Sequence, residues 1–100
     1  MKYFLAQSVM ADPLPVPDEE VPTVYLPMHQ KHIAEGIEAG MVLFAGPKPT
    51  EGGGMMIARA ESREALDSFL NRDPFVVNGL ARFKVKEFIM ADRSEFVKDF

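Results

Sequence analysis

The chain has 100 residues, of which 47% are apolar, and a formal net charge of -4. That is one domain's worth over residues 1–100, close to the lower limit for a self-sufficient core, and too apolar for disorder. The acidic balance argues against nucleic acid as a partner, and the absence of cysteine excludes disulfides, thiolate metal sites and a Cys nucleophile.

Tyr3 to Val9 reads as a short apolar strand bounded by Asp12-Pro13. Asp12 to Pro22 is rich in proline and acid and reads as an extended, mobile loop. Pro27 suits the first turn of a helix, where a missing N–H costs nothing. The helical pattern runs from Met28 to Ala39, and Gly40 is its stop signal. Met41 to Ala45 is a wholly apolar strand ended by Gly46-Pro47. The glycine-rich Pro49–Gly54 stretch connects it to a third strand, Met55 to Ala60. Gly52-Gly53-Gly54 lacks the Lys-Ser/Thr and the helix start of a phosphate-binding loop, and reads as a flexible hairpin connection.

Ser62 caps a second helix carrying Ala65, Leu66, Phe69 and Leu70 on one face. Asp73 precedes a proline, which disfavours continuing that helix. Arg82 to Ile89 alternates Phe83 and Val85 with Arg82, Lys84 and Lys86, the pattern of a half-exposed strand. Ser94 to Phe100 has the makings of a final helical turn, with Phe96 and Phe100 on one side. The order β-α-β-β-α-β is the ferredoxin-like plan: an α+β fold with a four-stranded antiparallel sheet.

The first three strands are apolar on both faces, as Val42 and Phe44 against Met41, Leu43 and Ala45 illustrate. Two helices shield one face of a four-stranded sheet, so a homodimer is expected to cover the other. The alternative is that the Asp12–Pro22 loop and the C-terminal tail cover it within one chain. The opening Met1–Ala6 run is too short for a signal sequence, and no stretch reaches membrane-spanning length. A cytoplasmic protein without membrane contact is therefore expected.

Little in the sequence looks like chemistry apart from two segments, Pro27-Met28-His29-Gln30-Lys31-His32-Ile33 and Arg72-Asp73-Pro74-Phe75. His29 shares a helical stripe with Ile33 and Ile37, so it should face the sheet. A ferredoxin-like layout lets the start of the first helix approach the connection after the second. Asp73 bonded to one imidazole nitrogen would fix the tautomer and leave the other nitrogen as a general base. The plain alternative is a half-buried histidine with satisfied hydrogen bonds and an aspartate serving a turn before proline. His32 lies on the shoulder of the helix and is expected to face solvent. A His29/His32 metal pair has workable spacing but needs further ligands, so no metal is expected. Gly46-Pro47 ends a buried strand where a ligand can come close.

The opening Met1-Lys2-Tyr3-Phe4, the helix histidine, Glu38-Ala39-Gly40, Leu43-Phe44-Ala45-Gly46-Pro47, Ala60-Glu61-Ser62 and Asp73-Pro74-Phe75-Val76 resemble the YciI-like family in order and spacing. The resemblance runs over nearly the whole chain and implies a dimeric α/β-barrel of ferredoxin-like subunits. It implies that His29 and Asp73 form the active-site dyad, with no cofactor. Many relatives carry an arginine three residues before the histidine; this chain has Leu26, which implies a more apolar pocket or another cation. A few relatives eliminate chloride from chlorinated hydroxyquinones. The resulting expectation is a lyase- or isomerase-like enzyme acting on a small ring-shaped molecule held by Leu26, Gly46, Pro47 and Phe75. The competing expectation is a non-catalytic small-molecule-binding or assembly module.

Overall fold

A computed structural model describes residues 1–100. In chain order the elements are β1 (Lys2–Met10), α1 (Leu26–Glu38), β2 (Val42–Pro47), β3 (Gly54–Ala60), α2 (Arg63–Asn71), α3 (Pro74–Val77) and β4 (Ala81–Phe88). A π-helical turn, Val21–Tyr25, leads directly into α1, and a 3-10 turn, Glu95–Val97, follows β4. The strands form one four-stranded antiparallel sheet in the order β2-β3-β1-β4. This is the ferredoxin-like arrangement, with α3 inserted between α2 and β4.

Alternation along the strands sorts the two faces. Phe4 and Ala6 of β1, Met56, Ala58 and Ala60 of β3, and Val42 of β2 are buried with Ile33, Leu66, Phe69 and Leu70 from the helices. Fully burying a side chain such as Leu66 stabilises the fold by about 1.5–3 kcal/mol. Ser62 caps α2 as its position suggests, its hydroxyl accepting the Ala65 N–H at 3.1 Å.

The other face is uncovered by helices. There Phe44, Met55 and Phe88 remain 56%, 39% and 37% exposed. Arg82, Lys84 and Lys86 pair with Val9, Gln7 and Leu5, so they form a row on this same face.

Several segments differ from expectation, each through tertiary contacts. β2 does not stop before Gly46 and Pro47 but runs through them, and they pair with Met55 and Gly54 as the last rungs of the ladder. Proline is tolerated there because β2 is an edge strand and one side of it needs no N–H donors. The proline-rich segment is not a free loop. Leu14, Val16 and Val21 pack with Tyr25 and Leu26 on a second small core of Phe75, Leu80 and Ala81. Its start is tied by Ala11 N–H to the Leu80 carbonyl at 2.7 Å.

The tail turns back onto the helix-free face. Tyr3 Oη donates to the Phe100 carbonyl at 2.9 Å, and the Arg59 guanidinium lies 4.5 Å above the Phe100 ring. Phe96, expected on the same side as Phe100, is 98% exposed instead. A short 3-10 turn does not hold those two positions on one face. No helix is long and apolar enough to cross a membrane.

Candidate active site

His29 lies in the first turn of α1, and Asp73 occupies the corner between α2 and α3. The aspartate is not the end of α2, as its place before proline suggests, but the cap of the next helix. Its extended backbone and Pro74 start α3, and its Oδ1 accepts the Phe75 N–H at 2.9 Å. Capping fixes the carboxylate before any other residue approaches it.

Asp73 is 1% exposed. A buried carboxylate is costly without partners, and this one has two kinds. Besides the Phe75 N–H, it receives His29 Nδ1, which lies 2.7 Å from Oδ2 and 2.9 Å from Oδ1. An ionised carboxylate only accepts, so Nδ1 carries the proton of this bond and the lone pair of a neutral ring is left on Nε2. The ring is also held in plane: it stacks on Phe75 with centroids 4.3 Å apart and an interplanar angle of 3°. Phe75 thus serves the pair twice, through its backbone and through its ring.

His29 borders a cavity of about 600 Å³ between α1, the helix-covered side of the sheet and the β2–β3 end. Leu26, Gly46, Pro47 and Phe75 all line this cavity, together with Ile33 and Ile37 of the His29 stripe. Asp73 stands behind the imidazole and does not reach the wall. Ile33 is buried, while Ile37 is 48% exposed at the rim. The His29 side chain is 21% exposed, so the cavity opens to solvent on that side.

His32 does not face solvent. Its Nε2 donates to the Phe69 carbonyl at 2.8 Å and its ring stacks on Phe69, tying α1 to the last turn of α2. The two imidazoles are therefore committed to different partners, and no group of three or more His, Cys, Asp or Glu side chains gathers to hold a metal ion.

Reading the sequence missed other parts of the wall: Ser8, Gln30, Met56, Phe83 and the pair Gly53 and Gly54. Ser8 had a visible signal, being the one hydroxyl on the inward stripe Phe4, Ala6, Ser8, Met10 of β1. The glycines had none, because their role depends on what stands opposite them. No Lys, Arg, Asp or Glu lines the cavity; its polar side chains are Ser8, His29 and Gln30.

The sequence model of the YCII-related domain matches residues 6–89. Among solved structures, the fold is similar to that of 5-chloro-2-hydroxyhydroquinone dehydrochlorinase from Burkholderia phenoliruptrix AC1100, in complex with 2,5-dihydroxybenzoquinone. That likeness has a TM-score of 0.62 at 21% identity, covering 87% of this chain and 93% of that one. A structure described as an antibiotic biosynthesis monooxygenase is similar with a TM-score of 0.56 at 17% identity, covering 89% of this chain and 97% of that one. At such identities the likeness carries the fold. No curated protein matches the sequence.

Proposed function

Since the chain belongs to the family of YCII-related domains, we propose that it is an enzyme whose His29 removes a proton from a small, oxygenated ring compound. Asp73 orients His29 and stabilises the imidazolium that forms. The observation that carries this reading is the His29–Asp73 bond of 2.7 Å, made by a carboxylate 1% exposed, at the wall of an apolar cavity. A histidine serving structure alone has no need of a buried carboxylate behind it and a cavity in front.

The chemistry is elimination or isomerisation without a cofactor. His29 Nε2 forms a bond to a substrate proton, and the freed electron pair moves into the ring. In a chlorinated hydroquinone the first proton comes from a hydroxyl, His29 returns it to the carbon that bears chlorine, and removal of a second hydroxyl proton expels chloride with its bonding pair to leave a quinone. In an isomerisation the proton returns at another carbon instead. The proton left on His29 passes to solvent through the exposed side of the ring. The similar dehydrochlorinase suggests chlorinated hydroxyhydroquinones as the first substrates to try.

The test is chloride release from 5-chloro-2-hydroxyhydroquinone. The wild type releases chloride, and His29→Ala lowers kcat by about 10²–10⁴-fold, the usual share of a general base. Asp73→Asn keeps the helix cap, because Asn caps as well as Asp, yet lowers kcat by at least about tenfold through loss of the charge. Full activity in either variant contradicts the mechanism.

The assembly belongs to the same proposal. Two chains pack through their helix-free sheet faces, burying Phe44, Met55 and Phe88 against the partner's copies. Support comes from the exposure of these side chains and from β1, β2 and β3, which are largely apolar on both sides, whereas β4 carries Arg82, Lys84 and Lys86 on this face.

A further inference from the structure

We propose that Ser8 is the hydrogen-bond donor that holds the substrate's oxygen, and that the Gly52-Gly53-Gly54 turn exists to aim it. Ser8 is 4% exposed on the inward face of β1, between apolar neighbours, and its side chain forms part of the cavity wall. The β1–β3 ladder stops at the Gln7–Met55 pair. One step further, Gly54 N–H donates to Ser8 Oγ at 2.7 Å instead. The hydroxyl is the acceptor in that bond, so its own proton is left to donate. With the oxygen held from the β3 side, the proton is free to turn toward the cavity.

The turn is built for this contact. Gly53 has φ of +66°, and a Cβ on it would collide with the Ser8 carbonyl oxygen. Any other residue at 53 pushes the turn off the serine and breaks the bond to Gly54.

The wall also defines the class of ligand. Without a Lys or Arg side chain, the cavity offers nothing to neutralise a formal negative charge. One buried hydroxyl and one imidazole in an apolar wall suit a neutral ring bearing a carbonyl conjugated to the carbon that loses its proton. As the C–H bond breaks and an N–H bond forms at His29, a C=C bond forms and the carbonyl pair moves onto oxygen. Ser8 donates to that oxygen before and during the step, most strongly as charge develops. The inference about catalysis rests on the reading of His29 as a base; the inference about oxygen binding does not.

Binding of two ring probes of the same shape tests the proposal apart from turnover. Cyclohexanone and methylenecyclohexane differ in having a carbonyl oxygen or a CH₂ at one position. The ratio of their affinities for the protein, measured by NMR titration, falls about tenfold in Ser8→Ala, through cyclohexanone alone. The infrared carbonyl stretch of cyclohexanone bound to the wild type lies below its value in an alkane, which reports the bond without any variant. An unaltered ratio in Ser8→Ala, an alkane-like stretch, or no saturable binding of cyclohexanone to the wild type overturns the proposal. If the ratio depends on Ser8 while the wild type releases no chloride, the oxygen site stands and the choice of reaction falls. Chloride release with an unaltered ratio has the opposite meaning.

Discussion

His29 and His32 sit on one helix, yet their rings are fixed by different acceptors: a carboxylate at 2.7 Å for His29 and a backbone carbonyl at 2.8 Å for His32. A carbonyl bond at the end of α2 serves the packing of two helices, whereas the carboxylate sets which nitrogen of His29 meets the cavity. Substitution should therefore separate them. His32→Ala lowers unfolding free energy by about 1–2 kcal/mol in urea titrations and leaves turnover near that of the wild type. His29→Ala all but abolishes turnover, and it also lowers stability because the buried Asp73 carboxylate loses a partner. Asp73 carries two jobs, and its variants divide these as well. Asp73→Ala loses the α3 cap and should be about 1 kcal/mol less stable than Asp73→Asn, while both are impaired in turnover. Equal stability of the two variants would show that the cap contributes nothing.

The elements were largely legible in the sequence where local signals decide them. Apolar runs, Gly40 and Ser62 marked the strands and helices in the right order, and the YciI-like resemblance singled out His29 and Asp73. What remained hidden depends on partners far along the chain. α3 is four residues long and is held by Asp73 and the Leu80 region, so no period announces it. The proline-rich segment looks like free loop until Phe75, Leu80 and Ala81 provide a surface for Leu14 and Val16. Gly36 shows the same dependence within α1. Helix propensity favours alanine there by about 1 kcal/mol. A Cβ at that position, however, would lie 2.5 Å from the Phe69 ring and 2.9 Å from Val42 Cγ2. Phe69 is 5% exposed and stacked on His32, so it has little room to yield. Overpacking costs about 1–3 kcal/mol, and Gly36→Ala should lower the Tm. A higher Tm would mean that propensity outweighs the close approach of α1 to the sheet.

At the scale of the whole molecule, one face of the sheet carries the helices and the cavity, and the other carries an unpaired apolar surface. The C-terminal tail covers part of that second face around Tyr3 and Arg59, which the sequence allowed as one of two solutions. Phe44, on the edge strand, lies outside this cover at 56% exposed. In the proposed dimer it is buried, so light scattering should give about twice the chain mass of 11.2 kDa. Phe44→Asp should return the monomer by placing a charge in the interface. A wild type that stays monomeric at high concentration contradicts the assembly and leaves the cavity chemistry intact.

The mechanism depends above all on which nitrogen of His29 is bare. Long-range ¹H–¹⁵N NMR of the imidazole resolves this directly, because protonated and unprotonated ring nitrogens resonate far apart. With the neutral ring, the spectrum should show the proton on Nδ1, lost from that position in Asp73→Ala, and a lone pair on Nε2 whose resonance moves when a ring compound enters the cavity. A proton resident on Nε2 in the wild type would mean that the nitrogen facing the cavity is no base, and the proposed mechanism would be wrong.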